Sequence, residues 1–429
     1  MMVSLENIKN VAVIGGGLMG AGIAQVTLLS GYEKVTVVDL NSEILEQCRE
    51  DIKKRLEELE AEKFKELYLE ATGNIEVAKI IDFESKKGDF KSIGVLANNV
   101  SISTLMRRLK TETDISKGVF DADFVIEAVP EVMSLKQEIF KKLGQFAPKD
   151  TVSASNTSTM SITSIGKFSG REDKVIGLHF HVFYPLLGMV IEITPGEKTT
   201  EDSMNLGFEF SQKLPCLIGE RFTVKLEKES PGLIANRTTL PGMLYHNWLL
   251  KQAKSKGISY EQLDAAGMSF ETFDRIGIDT VYNVIKYFEE VVSPDFAPAA
   301  LLTDLVNEGR IGRKVGKGYY DWDENGPIRN LPSVEPKTMG FLAENIDMEL
   351  FMALSLNESC KLLEEGVVKS YDIITKVLMK GNFIEGPFIQ GKEKYKEWSQ
   401  KLYQIAEKTS ISYLKPCEMM ESGRFLSYK

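Results

Sequence analysis

The chain is poor in the residues that build metal centres, disulfide scaffolds and polyanion-binding surfaces. Only four cysteines occur among 429 residues, Cys48, Cys216, Cys360 and Cys417. No two of them stand at CxxC or zinc-ligand spacing. That argues against a disulfide framework and a structural zinc, and points to free thiols in a reducing, cytoplasmic compartment. Positive charge is also in deficit: 52 Lys and Arg face 62 Asp and Glu, for a net charge of −10. A phosphate backbone rewards clustered cations, so nucleic acid is not expected as the main partner. The short basic clusters Lys53-Lys54-Arg55 and Arg310, Arg313, Lys314 read as solvated helix faces. Residues 11–31 carry no charge and match a membrane span in length. Glycines break that run, and it changes from strand-like to helix-like midway, so no membrane span is expected. The N-terminal MMVSLENIKN lacks a charged-then-apolar signal pattern. Histidine is scarcer still, at three residues, His179, His181 and His246.

What is present points to a soluble globular protein. The apolar fraction is 43%, and the length suits two or three domains. Val11–Ile14 reads as a buried strand, Leu18–Ser30 as a helix stopped by Gly31, and Val35–Val38 as a second strand. A charged helix is expected from Ser42 to about Leu69. Asn74–Ser116 shows weak periodicity and reads as an insertion of helices and loops. Strands return at Asp123–Val129, Thr151–Ala154, Val175–His179 and Val190–Ile193, with a helix over Ser134–Phe146. Alternating strands and helices imply a doubly wound parallel sheet.

From about Ser230 the pattern turns helical and repeats itself. Asn247, Gly257 and Tyr260 correspond to Asn357, Gly366 and Tyr371, at offsets of 109 to 111. The expected organisation is an α/β N-terminal domain over 1–229 and two all-α domains in tandem, over 230–330 and 340–429. They are joined through the Pro-bearing segment Gly326–Pro336.

Gly15-Gly16-Gly17-Leu18-Met19-Gly20 is GxGxxG between a strand and a helix. Gly15 makes the tight turn, Gly17 lets the backbone approach a pyrophosphate, and Gly20 packs helix against strand. The helix N-terminus, at Leu18 and Met19, then faces the phosphates. Asp39 lies 19 residues past Gly20, placed to bond the ribose hydroxyls and repel a 2′-phosphate. The expected cofactor is NAD in a Rossmann-like domain. Beyond this loop, Ser155–Glu192 holds two of the three histidines, a hydroxyl-rich SNTST and Glu192 in the apolar run VIEI. A secondary alcohol is oxidised with such a set: an imidazole base, a carboxylate to orient it and a hydroxyl to bond the oxygen. A charge in an apolar strand is costly unless paired, which favours a partner for Glu192.

At these motifs the chain resembles the L-3-hydroxyacyl-CoA dehydrogenases, in the form with two C-terminal helical domains and no crotonase-type hydratase domain. The matching pieces are VAVIGGGLMGAGIAQV (11–26), DADFVIEAVPEVMSLKQEIF (121–140), SASNTSTMSITSI (153–165), GLHF (177–180), PGLIANR (231–237) and LVNEGRIGRKVGKGYYDW (305–322). The resemblance implies oxidation of a 3-hydroxyacyl-CoA to the 3-oxoacyl-CoA. By that resemblance His179 is the general base and Glu192 its orienting carboxylate. Ser158 and Asn236 bond the substrate oxygen, Glu131 and Lys136 lie near the dinucleotide, and Asp39 is the ribose acid. His181 shares the face of His179 if the strand stays regular, and is a reserve base. His246 reads as structural.

The chain also departs from this pattern. The family's Phe-Phe-Asn-Pro after the histidine is here Phe180-His181-Val182-Phe183-Tyr184-Pro185. Val182 stands where the family has an asparagine that touches the cofactor. Glu192 follows His179 by 13 residues, one more than in the family, so a bulge would be needed to realign the pair or would misplace it. In the first helical repeat, Ala265–Phe273 is short and lacks the Gly-Pro-Phe loop that repeat two keeps at Gly386-Pro387-Phe388. That predicts a reshaped acyl pocket. Arg55 and Glu62 fall where the family contacts CoA and do not match it. Two other readings remain open at this point: a dehydrogenase of another 3-hydroxy acid, and a non-catalytic dinucleotide- or acyl-CoA-binding relative. Tandem repeats could make within one chain the contact that dimeric relatives make between subunits, so a monomer and a homodimer are both expected possibilities.

Overall fold

The computed structural model describes residues 4–60, 100–181, 184–217, 219–324, 326–381 and 386–429. The predicted extension of the charged helix to Leu69, the 74–99 part of the predicted insertion, and Glu62, Val182 and Phe183 lie outside the described residues. The chain divides into two compact units, Met1–Leu233 with Lys376–Ile384, and Ile234–Thr375 with Glu385–Lys429.

The N-terminal unit is built on one eight-stranded sheet. Its strands are β1 (Asn10–Ile14), β2 (Lys34–Val38), β3 (Leu109–Glu112), β4 (Phe124–Glu127), β5 (Val152–Ser155), β6 (Val175–Phe180), β7 (Val190–Pro195) and β8 (Phe222–Lys225). The spatial order is β3-β2-β1-β4-β5-β6-β7-β8. The order reverses about β1, the switch point where such sheets bind dinucleotides. Neighbours run parallel except β6 and β7, which are antiparallel. Two strands correct the sequence reading. Leu109–Glu112 falls inside the predicted insertion yet pairs with β2 in register Val35↔Leu109. Phe222–Lys225 pairs with β7.

Continuous β-branched runs fill the centre of the sheet because helices cover both faces of a parallel sheet. Val11, Val13, Val35, Val37, Phe124 and Ile126 are buried with the apolar residues of α1 (Leu18–Leu29) and the inner face of α2 (Ser42–Glu60). Each such side chain contributes about 1.5–3 kcal/mol by leaving water. Two further long helices of this unit are α3 (Met133–Phe146) and α4 (Glu201–Lys213). On α2 the predicted basic face is only partly solvated. Lys53 and Lys54 are exposed and pair with Glu57 and Glu58. Arg55 is turned inward instead, buried over the Tyr184 ring at 4.2 Å.

The C-terminal unit is mostly helical. Its long helices are α5 (Ala235–Ser255), α6 (Ile278–Val291), α7 (Met348–Glu364), α8 (Tyr371–Gly381) and α9 (Phe388–Thr409), the end of α8 belonging to the N-terminal unit. Helices α5 and α7 lie at corresponding positions of the two predicted repeats and pack on each other. Between Ala265 and Glu271 the first repeat makes its short connection through Gly267, at φ +100°, and the buried Phe270. A small hairpin, Asp321–Asp323 with Gly326–Ile328, precedes the helix that opens at Pro336. Among the described residues, no helix is long and apolar enough to cross a membrane, and no cluster of three potential metal ligands occurs.

Candidate active site

The glycine loop joins β1 to α1. Gly15 holds φ +105°, and a Cβ there would stand 2.7 Å from the Ala128 carbonyl oxygen. Its N–H donates to the Val38 carbonyl at 2.7 Å. A Cβ on Gly20 would overlap the Gly15 carbonyl, so loop and helix touch through bare backbone. Gly17 caps α1 in extended conformation, and nothing lies within 4 Å of where its Cβ would be. The loop is therefore tight against the protein and open on the side where α1 presents the N-terminal amides, beginning with Leu18 and Met19. That fits a pyrophosphate. Asp39 follows β2 and accepts the Gly16 N–H at 2.9 Å through Oδ2 and the Asn41 N–H at 3.2 Å through Oδ1. The carboxylate is thereby fixed beside the loop, on the side of the sheet switch point. The residues present suit an NAD.

A second layer comes from the ends of β4 and β5 and the start of α3. Lys136 is buried between Glu127, at 2.7 Å, and Glu131, at 3.2 Å. Burial pushes the lysine's pKa down, but the two carboxylates outweigh it and hold the ammonium charged. Glu127 also accepts the Ser155 hydroxyl at 2.6 Å and the Val129 N–H at 2.7 Å. Glu131 accepts the Thr157 hydroxyl at 2.8 Å and the Ser158 N–H at 3.0 Å. Glu131 and Lys136 thus brace the SNTST turn. Ser158 is left with its hydroxyl unpartnered among the described residues.

The imidazole and its carboxylate come from the antiparallel pair. His179 and Glu192 stand directly opposite in the β6–β7 register, within an unbroken run from Ile176↔Pro195 to Phe180↔Ile191. The His179 Nδ1 to Glu192 Oε2 distance is 2.9 Å, with Glu192 fully buried. No bulge realigns them. Residues 181–189 connect the two strands, which keep regular pairing. With an ionised carboxylate as acceptor, Nδ1 carries the proton and donates it, and Nε2 keeps its lone pair. Nε2 makes no hydrogen bond among the described residues.

A residue the sequence reading passed over also helps fix this histidine. The Asn156 side-chain oxygen accepts the Phe180 N–H at 3.0 Å, and its own N–H donates to the Glu127 carbonyl at 2.8 Å. It ties the end of β6 to β4. Its place inside SNTST was the available signal.

His181 does share the side of His179, with ring centroids 5.6 Å apart. It lies past the end of β6, against Gly381, where a Cβ would stand 2.6 Å from its Nδ1. Burial pushes its pKa down to about 4, which makes it a poor base at neutral pH and a weak reserve for His179. His246 packs beside Phe270 and Phe273, and burial likewise takes it down to about 4. Asn236 belongs to the helical unit, in the first turn of α5, and its side chain has no partner among the described residues.

A strand–glycine loop–helix at a sheet switch point, an acid after the second strand and an imidazole–carboxylate pair beyond it define a dinucleotide-dependent dehydrogenase. Residues 10–217 match the family model for the 3-hydroxyacyl-CoA dehydrogenase NAD binding domain, and residues 232–322 match the C-terminal domain of the same family. The mitochondrial hydroxyacyl-coenzyme A dehydrogenase of Sus scrofa is 31% identical over 325 residues, covering 73% of this chain and 91% of the relative. A probable 3-hydroxybutyryl-CoA dehydrogenase of Bacillus subtilis is 29% identical, covering 74% and 98%. Among solved structures, 3-hydroxybutyryl-CoA dehydrogenase of Escherichia coli shares the fold with a TM-score of 0.67 at 22% identity, over 98% of this chain and 99% of that one. The chain belongs to the 3-hydroxyacyl-CoA dehydrogenase family.

Proposed function

We propose that the chain oxidises (S)-3-hydroxyacyl-CoA thioesters to 3-oxoacyl-CoA with NAD, and that His179 is its general base. The observation that carries this assignment is the 2.9 Å contact between His179 Nδ1 and the buried Glu192. It leaves Nε2 free to take the 3-hydroxyl proton as the C3–H bond breaks. Bound NAD supplies the hydride acceptor for C3. Glu192 orients the ring and stabilises the imidazolium once the proton has arrived. Ser158, braced by Glu131, donates to the substrate oxygen. Asn236 is given a second hydrogen bond to that oxygen on the family resemblance alone. Gly15, Gly17 and Gly20 leave room for the pyrophosphate, Leu18 and Met19 open the helix that faces it, and Asp39 takes the ribose hydroxyls.

The reading of a non-catalytic relative rests on Val182 and on the longer His–Glu spacing. The 2.9 Å contact removes the second ground, while Val182 lies outside the described residues. The short first-repeat connection supports an acyl pocket unlike that of relatives with the full loop. A chain-length profile matching straight-chain relatives would count against it. The α5–α7 packing within one chain supports a monomer with an internal pseudo-dimer contact and helical domains near 230–330 and 340–429. Light scattering tests the first part. A cytoplasmic location rests on the free thiols. Turnover of 3-hydroxyacyl-CoA thioesters by the wild type, and its loss in His179→Ala, is the test of the whole reading.

A further inference from the structure

The two helical repeats meet asymmetrically. Arg237 projects from the first turn of α5, next to Asn236. Its Nε donates to Glu358 of α7 at 2.9 Å, and its two terminal nitrogens grip Glu365 at 2.7 and 2.6 Å. Glu358 is fully buried, accepts the Tyr413 hydroxyl at 2.6 Å and pairs with Lys361 at 3.0 Å. At the repeat offset of 110, the counterpart of Glu358 is Trp248 and the counterpart of Arg237 is Asp347. Trp248 stacks on Tyr245 and lies under Lys408. Asp347 caps α7 and pairs with Lys401. The ion clamp therefore exists once, at the helix start that carries Asn236, and not at its symmetry mate.

Two further facts bear on what the clamp is for. A contact needed only to hold helices together is served as well by apolar side chains, since a buried ion cluster adds little net stability. The chain also enters α5 through a strained turn, with Gly232 at φ +80° and Leu233, a non-glycine residue, at φ +54°. Such a conformation persists where surrounding groups over-determine it. A planar guanidinium held along two edges fixes both the depth and the rotation of the turn that bears it.

We propose that Glu358 and Glu365 of the second repeat are positioning residues for the reaction: by locking Arg237 they set the place of the neighbouring Asn236 amide. The inference rests on the reading of Asn236 as a substrate-oxygen ligand. It gives the second repeat a role beyond replacing a dimer partner.

A double-mutant cycle tests it, with kcat, KM, NAD affinity and thermal midpoint measured for Asn236→Ala, Arg237→Lys and the double variant. Glu365→Gln serves as the milder probe should Arg237→Lys fold poorly, because Glu365 lies at the half-exposed rim of the clamp. The expected result is a loss of about 10-fold or more in kcat/KM for Arg237→Lys and a smaller loss for Glu365→Gln, with NAD affinity unchanged. In the Asn236→Ala background the same substitutions cost nothing further. Full activity in Asn236→Ala would remove the reading of that residue, and the clamp's role with it. An impaired Asn236→Ala whose loss multiplies with that of Arg237→Lys would leave Asn236 standing and overturn the clamp.

Discussion

At the scale of single residues, the pairing of His179 with Glu192 was legible because its chemistry is sparse. Three histidines, two of them in one stretch with Glu192 in an apolar strand, leave few ways to pair an imidazole with a carboxylate. The partners of each group were not legible, because they lie across strands. Nothing local in SNTST says that Asn156 holds the Phe180 N–H, or that Glu131 and Lys136 brace Ser158 from below. Arg55 was misread for the same reason: its neighbours on α2 are solvated, while Tyr184 buries it from a distant part of the chain. Two outcomes follow at this scale. Glu192→Gln keeps the hydrogen-bonding shape but loses the charge that stabilises the imidazolium. It should lower kcat by roughly 10²-fold or more while leaving NAD affinity unchanged, as steady-state kinetics and calorimetric titration would report. Lys136→Met strands Glu127 and Glu131 in a buried site. A destabilisation of about 3–5 kcal/mol is expected in chemical denaturation, and a wild-type denaturation midpoint would contradict the network.

Elements were legible where they bury continuous apolar runs. β1, β2, β4, β6 and β7 are largely such runs; together with the fully buried β5 (VSAS) they were read to within two residues at each end. β3 and β8 are not. Leu109–Glu112 reads LKTE and Phe222–Lys225 reads FTVK, each with too few apolar positions to show a period. They are the two edges of the sheet, where one neighbour suffices and polar residues are tolerated. The antiparallel pairing of β6 with β7 also escaped the reading, and with it the point that His179 and Glu192 stand opposite each other without a bulge. The glycine loop and α1 touch through bare backbone. Gly20→Ala places a methyl on the Gly15 carbonyl oxygen, so loop and helix must separate. A fall in NAD affinity of at least about 10-fold is expected by calorimetry, together with a lower thermal midpoint. Unchanged affinity would mean that the loop does not cradle the cofactor.

For the whole molecule, an α/β part followed by a mostly helical part was legible, since that change is written in spacing and composition. How the repeats share one compact unit was not, because that depends on α5 meeting α7 and on one buried ion cluster. Acid stability is also set at this scale. Burial holds His181 and His246 near 4 in the folded chain, against about 6.5 when unfolded. Between those values the unfolded chain binds more protons than the folded one. Stability from these two groups is therefore fully present above about pH 6.5 and is lost as pH falls toward 4. The thermal midpoint should decline across that window, and His246→Phe should shallow the decline. An equally steep decline in that variant would place the titration elsewhere. The central claim is tested most directly by NADH formation from NAD and 3-hydroxyacyl-CoA thioesters of short, medium and long chain, with wild type beside His179→Ala. The account predicts turnover of at least one thioester, and a fall of at least about 10²-fold in the variant with NAD binding intact. Turnover that survives the substitution, or NAD binding without turnover of any thioester, would contradict it.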